Sequence, residues 1–251
     1  MNRFFVFLML LPALFSCQPH RLTVMTYNVG VFSKYQESGI HGVAETILCS
    51  GASLVGLNEL DSCNRRHPSF QVRELADELG AWDYLFASAF PFAGGGYGNG
   101  VVSAKPITGR WRIQLPKGDG SEPRSVAVVE TTDCIFASTH LEFSSQAAAL
   151  EQIKEINTWF TERYTGYKKP VLLCGDMNTA PGSQVIKQLE RCWERLSGTD
   201  YSYSTEDPHA CLDYIFALRS AHPVHVLSTS VLTDGTASLS DHFPVVLRLR
   251  F

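Results

Sequence analysis

The apolar positions along the chain fall into short runs separated by glycine and polar turn residues. Short apolar runs with β-branched side chains are typical of buried strands. They predict strands over residues 22–29, 53–60, 84–87, 100–104, 111–115, 125–131, 134–139, 170–174, 212–217, 224–228 and 244–251. Apolar residues at helical spacing predict helices over 42–49, 72–79, 147–164 and 184–191. The strands outnumber the helices, and short turns join several of them. This pattern favours an α/β fold in which mixed, largely antiparallel sheets carry helices on the outside.

The composition supports a folded globular chain of 251 residues, with 45% hydrophobic and 18% charged residues. Neither a linker-like tract nor a repeat divides it, so one large domain or two small ones are compatible with the length. The formal net charge is −4, which argues against a protein that coats DNA through a broad basic surface. A nuclease is still compatible with this charge, because a metal ion can supply positive charge locally.

The first 17 residues have the pattern of an export signal. Arg3 precedes an apolar run over residues 4–15, which is too short to span a bilayer as a helix and is followed by Ser16 and Cys17. Residues 14–17 (LFSC) resemble a bacterial lipobox, in which the cysteine is acylated. We therefore expect an exported protein of the bacterial cell envelope, either anchored to the membrane through Cys17 or secreted. A buried N-terminal helix is the alternative.

Six cysteines follow the predicted signal, and no two of them form a CxxC pair. A structural zinc site is therefore not expected. An even number of cysteines in an exported chain is compatible with disulfides. Cys49–Cys63 and Cys192–Cys211 are the candidate bridges.

Polar residues recur where the predicted strands begin or end. Because strand ends are rigid, side chains that converge there can form a precisely held site. Each alone is compatible with an ordinary turn or helix cap. The candidates are Asn28, Glu59, Asp61, His140, Asp176, Asn178, Asp213, Asp241 and His242.

The order of these motifs carries more information than any one of them. TYNVG, GLNELD, STHLE, GDMN, LDYIF and SDHFPVV follow one another along the chain. This series resembles the endonuclease/exonuclease/phosphatase superfamily, which includes DNase I-like nucleases, and the resemblance extends from about residue 21 to residue 251. It implies a single catalytic domain over residues 18–251. It also implies a four-layer α/β sandwich, with two face-to-face sheets, flanking helices and a site at one rim.

The resemblance implies a divalent metal. Glu59 corresponds to the principal Mg²⁺ ligand of the family, and Asn28 and Asp241 would complete or support its shell. Mg²⁺ and Mn²⁺ both accept such oxygen ligands. Gly30 stands where some nucleases of the family carry an aspartate, so a second metal is not expected there.

The resemblance also implies the catalytic roles. Asp176 would orient or deprotonate the attacking water, and Asn178 would position the water and a phosphoryl oxygen. His242 would contact the phosphoryl group and be held by a carboxylate. His140 would be the second histidine on the phosphoryl group and be oriented by Asp213. Phosphoryl transfer needs such an in-line nucleophile and fixed donors for the developing negative charge.

Three further residues are candidates for binding substrate. Arg65 and Arg124 would reach the substrate phosphate, although an arginine exposed on the surface is the plain alternative. Asn99 lies in the glycine-rich run 93–100, which we interpret as a flexible loop at the site rim. The run lacks a following GK[ST] and so is not a P-loop.

These features predict a Mg²⁺-dependent phosphodiesterase or phosphatase. An extracellular nuclease acting on DNA or RNA is an alternative, and a catalytically inactive binding module of the same fold is another. The substrate is a phosphoester that is small, derived from a lipid or part of a nucleic acid. The GDMN and LDYIF strings disfavour the inositol polyphosphate 5-phosphatase branch. We expect a monomer.

Overall fold

Two six-stranded sheets form the centre of the fold in the computed structural model, which describes residues 20–251. The predicted signal and lipobox, including Cys17, lie outside the described residues. One sheet contains β1 (Arg21–Asn28), β2 (Leu54–Ser62), β3 (Asp83–Phe92), β4 (Gly95–Ser103), β11 (His225–Val231) and β12 (Val245–Arg250). The other contains β5 (Gly109–Leu115), β6 (Arg124–Glu130), β7 (Ile135–His140), β8 (Val171–Asp176), β9 (Trp193–Arg195) and β10 (Asp213–Leu218).

The strand order is β11-β12-β1-β2-β4-β3 in the first sheet and β5-β6-β7-β8-β10-β9 in the second. β1 pairs with β2 and β7 with β8 in parallel, and the other neighbours are antiparallel. The helices are α1 (Ile40–Ser50), α2 (Gln71–Glu78), α3 (Gln146–Tyr164) and α4 (Gln184–Leu189). Among the described residues, none of the helices is long and apolar enough to cross a membrane.

Three apolar layers hold the sheets and helices together, because each central strand buries both of its faces. Val24 and Leu247 of the first sheet meet Phe136 of the second between the sheets. Met25 and Val55, on the opposite face of the first sheet, pack with Ile47 of α1. On the outer face of the second sheet, Leu173 packs with Ile153 and Phe160 of α3. These layers confirm the predicted four-layer α/β sandwich.

The glycine-rich run is the main local difference from the sequence-based prediction. Residues 93–94 form the turn after β3, and residues 95–100 are not a flexible loop but the first part of β4, paired with both β2 and β3. A side chain at Gly98 would put its Cβ only 2.1 Å from the carbonyl oxygen of Ala87. The glycines therefore allow strands to approach closely, a known role of glycine within a sheet. The three-residue strand β9 was also not predicted.

The cysteines differ from expectation as well. All six cysteines of the described residues are free thiols. The candidate bridges Cys49–Cys63 and Cys192–Cys211 are therefore wrong for this structure. Cys134 and Cys174 are buried, and burial raises the pKa of each thiol to about 12.

Candidate functional site

The predicted polar residues converge at one rim of the two sheets because of strand direction. β1 and β2 run toward this rim in the first sheet, as do β7 and β8 in the second, and β10 begins there. Pairing places His140 beside Asp176 and Asp176 beside Asp213. Asn28 of the other sheet donates from Nδ2 to Oδ2 of Asp176 at 3.2 Å. Both sheets therefore contribute to one site.

Asn58 joins the sheets directly beneath this site. Its Oδ1 accepts from the backbone N–H of Asp176 at 3.0 Å, and its Nδ2 donates to the carbonyl of Thr139 at 2.9 Å. Its side chain is fully buried. Sequence reasoning missed Asn58, although its position beside Glu59 in an apolar strand was a usable signal.

Glu59 reaches the site through an irregularity in β2. The register between β2 and β4 shifts between Leu57 and Leu60, and Glu59 has a φ of 58°. Bulges of this kind re-aim side chains and are frequent beside active sites. Oε1 of Glu59 accepts from Nδ2 of Asn28 at 3.1 Å. Burial is the main cause that raises the pKa of Glu59, and the hydrogen bond from Asn28 opposes it.

Asp176 lies at the centre of the polar group and is almost fully buried. Its Oδ1 accepts from the backbone N–H of Asn178 at 2.8 Å. The residue before it, Gly175, has a φ of 140°, and a Cβ there would lie 1.7 Å from the carbonyl oxygen of Thr139. A glycine is therefore required for β8 to place Asp176 against β7.

His242 is held by a carboxylate on the side away from Asp176. Its Nδ1 donates to Oδ2 of Asp213 at 2.8 Å, and the same oxygen accepts from Oγ of Ser202 at 2.7 Å. Its Nε2 lies 3.5 Å from Oδ2 of Asp176. Burial alone would lower the pKa of His242, but Asp213 and Asp176 outweigh it and raise the pKa to about 10.

His140 has a different environment, which corrects one expected contact. Asp213 orients His242 and not His140, whose Nδ1 is buried without a hydrogen-bond partner among the described residues. Its Nε2 lies 3.5 Å from Oδ2 of Asp176. Burial lowers the pKa of His140 to about 3, although Asp176 opposes the effect.

A cavity of about 340 Å³ opens above these groups. Arg124 and Asn178 line it together with His140, Asp176 and His242. Arg124 is only 3% exposed, and its Nε has no hydrogen-bond partner among the described residues. The nearest carboxylates to its guanidinium are Glu122 at 3.3 Å and Glu142 at 3.8 Å. A buried guanidinium beside two histidines can bind an anionic group.

A second cavity of about 380 Å³ adjoins the first and shares Glu59, Tyr97 and Glu122 with it. Phe90, Phe92, Lys34 and Arg66 complete much of its wall. The guanidinium of Arg66 lies 4.7 Å from the ring centroid of Phe92. Its Nε and Nη2 donate to the two oxygens of Asp61. The cavity therefore combines aromatic rings with charged groups.

Two predicted substrate contacts are not brought to either cavity. Arg65 is exposed, and Arg66 is the arginine that lines the second cavity. Asn99 is buried, where it accepts from Nδ2 of Asn58 and donates to the carbonyl of Ser125. Its amide stabilises the strand packing beneath the site instead of facing a ligand.

The residues that could hold a metal lie where the cavities meet. Glu59 lines both cavities, and Asp241 lines the first, with its Oδ2 2.8 Å from Nζ of Lys34. Asn28 uses its Oδ1 to accept from the backbone N–H of Gly30. It therefore supports the Glu59 carboxylate in this arrangement. Asp176, Asp213 and His242 also offer ligand atoms within 4.8 Å of one another, a group that could hold a metal ion.

The sequence matches a family model described as the Endonuclease/Exonuclease/phosphatase family over residues 25–242. None of the curated proteins compared with the sequence matches it. The fold is similar to an endonuclease/exonuclease/phosphatase family protein from Bacteroides thetaiotaomicron, with a TM-score of 0.74 and 21% identity over 93% of this chain and 96% of that chain.

Two further solved structures are similar. One is a mannosyl-6-phosphatase from Bacteroides thetaiotaomicron, with a TM-score of 0.73 and 22% identity over 92% of this chain and 100% of that chain. The other is ANGEL2, a 2′,3′-cyclic phosphatase, with a TM-score of 0.72 and 12% identity over 93% of this chain and 96% of that chain. At these identities the structural likeness supports the fold alone.

Proposed function

The chain belongs to the endonuclease/exonuclease/phosphatase family, and on this premise we propose that it is a divalent-metal-dependent hydrolase of phosphoester bonds. The observation that carries the proposal is the set of polar groups around the Asp176 carboxylate. Nδ2 of Asn28 and Nε2 of both His140 and His242 lie within 3.5 Å of its Oδ2. A carboxylate between two imidazoles can orient a water for attack while the imidazoles face the phosphoryl group.

The donor set fits Mg²⁺ or Mn²⁺. Glu59 and Asp241 are carboxylates at the cavity wall, and both cations prefer oxygen ligands. Burial raises the pKa of Glu59 because it disfavours the charged carboxylate. A divalent cation nearby would offset this unfavourable effect. Glu59 and Asp241 would hold the ion and Asn28 would fix Glu59. When bound, the ion supplies Lewis acidity and neutralises phosphoryl charge.

The other side chains have separate tasks in this proposal. Asp176 accepts the proton of the attacking water. Arg124, Asn178 and His140 bind the phosphoryl oxygens from the cavity wall. His242, which Asp213 holds in its protonated form, donates a hydrogen bond to the developing negative charge.

The second cavity supports a substrate with a small organic group. Both cavities have the volume of a small-molecule site. A phosphoryl group beside Arg124 would leave the second cavity for the alcohol portion, which can stack on Phe92 or Tyr97. A sugar phosphate fits such a wall, and one structural neighbour is named a mannosyl-6-phosphatase. A nuclease that acts on DNA or RNA is the second candidate.

We also propose that the protein is an exported monomer, anchored to a membrane by acylation of Cys17. The residues LFSC at 14–17 support this proposal. This proposal is independent of the proposed hydrolase, because the candidate site residues all fall between residues 28 and 242 of the sequence.

The hydrolase is tested with p-nitrophenyl phosphate and bis-p-nitrophenyl phosphate. We expect hydrolysis that Mg²⁺ stimulates and EDTA abolishes. Glu59→Gln is expected to weaken Mg²⁺ activation, whereas Asp207→Asn, at an exposed loop carboxylate, is the matched control and should change nothing. No hydrolysis by the folded protein under any divalent metal would favour the inactive binding module.

A panel of sugar phosphates, RNA, supercoiled plasmid and sphingomyelin then separates the substrates. Preferred turnover of sugar phosphates supports the small substrate. Nicking of the plasmid at low enzyme concentration would favour the nuclease instead.

A further inference from the structure

The start of the fold and the catalytic site lie at opposite ends of the same strand. β1 begins at Arg21 and ends at Asn28, a separation of about 23 Å at the usual rise of a strand. Arg21 pairs with Arg250, which pairs with His225, so these three residues mark the end far from the site. β8 follows the same direction, with Lys168 shortly before its start. We call this end, marked by Arg21, Lys168, His225 and Arg250, the tether end.

An acyl group on Cys17 would keep the tether end close to the bilayer. Four peptide steps separate Cys17 from Arg21, and they span at most about 14 Å when fully extended. That reach is shorter than β1 itself. An anchor of this length therefore favours an orientation in which the tether end faces the membrane and the catalytic rim faces away.

The charge distribution favours the same orientation. Arg21, Lys168 and Arg250 are exposed, and none of them has a carboxylate partner within ion-pair distance among the described residues. Most carboxylates of this end are paired with a cation: Asp133 with Lys105, Glu130 with Lys169 and Asp83 with Arg110. Glu194 on β9 is exposed and unpaired among the described residues, against three unpaired cations. The opposite end holds Glu59, Asp176, Asp213 and Asp241. A basic end beside a lipid anchor is attracted to anionic phospholipid headgroups.

Two exposed apolar side chains also lie at the tether end. Val226 and Leu227 are 44% and 45% exposed, directly after His225 on the edge strand β11. Apolar side chains beside exposed cations suit an interfacial contact with a membrane.

We propose that the protein docks on an anionic phospholipid surface through the tether end and holds its catalytic rim away from that surface. This inference rests on the proposed acylation of Cys17. It deepens the proposed function, because a catalytic rim that faces away from the membrane binds soluble phosphoesters. The headgroups of the bilayer that carries the anchor lie out of its reach.

Two native cysteines allow a direct test in the full-length lipoprotein. Cys49 lies in the last turn of α1, just before β2 starts, and Cys63 follows the last residue of β2 at the catalytic rim. Both are exposed. One variant combines Cys63→Ser with Cys192→Ser to leave Cys49 for labelling, and the other combines Cys49→Ser with Cys192→Ser to leave Cys63. Each is labelled with a donor fluorophore and reconstituted in vesicles of phosphatidylethanolamine and phosphatidylglycerol that contain an acceptor lipid.

We expect several-fold more energy transfer to the acceptor lipid from Cys49 than from Cys63. Arg21→Glu with Arg250→Glu should reduce the difference between the two values, while the acyl anchor keeps part of it. Lys117→Glu, at an exposed cation on the turn between β5 and β6 at the rim, is the matched control and should preserve the difference. Equal or reversed transfer in the unaltered protein would overturn the proposal. A difference of unchanged size after the double reversal would overturn docking by charge.

Mass spectrometry of the mature N-terminus tests the premise separately. An unmodified Cys17 would overturn the proposal, because the proposed docking rests on the acyl anchor. Energy transfer needs no turnover, so its result is independent of whether the protein is a hydrolase. With an active enzyme, hydrolysis of a soluble phosphoester but not of phosphatidylglycerol in the same vesicles is expected. Preferred hydrolysis of that lipid would contradict the orientation.

Discussion

His140 and His242 approach the same oxygen of Asp176 from two regions of the rim. Nε2 of each lies 3.5 Å from Oδ2 of Asp176, and both side chains are almost fully buried. Their other ring nitrogens differ. Nδ1 of His242 donates to Asp213, whereas Nδ1 of His140 has no hydrogen-bond partner among the described residues.

The charged groups around the two imidazoles also differ, and they separate the two protonation states. Burial lowers the pKa of both, but in His242 Asp213 and Asp176 together outweigh burial and raise the pKa to about 10. In His140 Asp176 does not outweigh burial, the charges of Arg124 and His242 add to the lowering, and the pKa falls to about 3. Equal burial therefore does not imply equal charge, because the charged groups around each imidazole decide it. The site holds one cationic and one neutral imidazole, a division that suits a donor and a neutral binding group.

Asp176→Asn removes the carboxylate that both regions share, so we expect the largest effect from it. Loss of the group that accepts the proton of water should lower kcat roughly a hundredfold to ten-thousandfold. The amide is nearly isosteric, so circular dichroism and Tm should remain close to those of the unaltered protein. Steady-state kinetics with bis-p-nitrophenyl phosphate measure the effect. Near-normal turnover would remove Asp176 from the proposed mechanism.

His242→Ala and His140→Ala compare the two regions directly. We expect the larger loss of kcat from His242→Ala, because of the two histidines only His242 brings a positive charge to the phosphoryl group. The loss should lie toward the upper part of roughly a hundredfold to a thousandfold. His140→Ala should raise KM more than it lowers kcat. Equal effects on both parameters would contradict the division of roles.

Asp213→Asn reduces the difference in pKa between His140 and His242 and leaves both imidazoles in place. A hydrogen bond to a charged group contributes about 1.5–3 kcal/mol, so kcat should fall by roughly ten- to a hundredfold. The pKa of His242 should fall at the same time, because its nearest negative charge is lost. In the metal-free protein, the His242 resonance in an NMR titration should therefore lose its proton at lower pH. An unchanged resonance would show that Asp213 does not hold the proton on His242.

Most strands and most site residues could be predicted from the sequence, and there is a physical reason for this. Buried strands have apolar runs that end in polar residues, so Asn28, His140 and Asp176 could be located from pattern and motif order alone. Residues 95–99 of the Gly95–Ser103 strand could not, because glycines carry no side chain to show the alternation of a strand. Which histidine Asp213 contacts depends on how the two sheets pack, and that packing is not encoded in motif spacing.

The two neighbouring arginines show that sequence spacing also fails to predict which of two adjacent side chains faces a cavity. Arg65 and Arg66 are neighbours after β2, but only Arg66 lines a cavity. Cys63, with a φ of 50°, lies in the turn between β2 and the two arginines. The alternation of a strand therefore no longer applies to the residues that follow, and sequence spacing could not choose between them.

His140→Gln is expected to have the smallest effect, on the pH dependence of stability in the metal-free protein. The folded pKa of His140 is about 3, below its usual value of 6.5, so the folded state binds fewer protons between these values. Stability therefore falls as the pH falls from 6.5 toward 3, and removing His140 should flatten that acid limb of Tm against pH. His242 has the opposite sign: its contribution is complete below 6.5 and is lost as the pH rises through about 10. His242→Gln should consequently flatten the alkaline limb and leave the acid limb unchanged. If the two variants altered the same limb, the two histidines would share one protonation state, and the contrast between the two regions would fail.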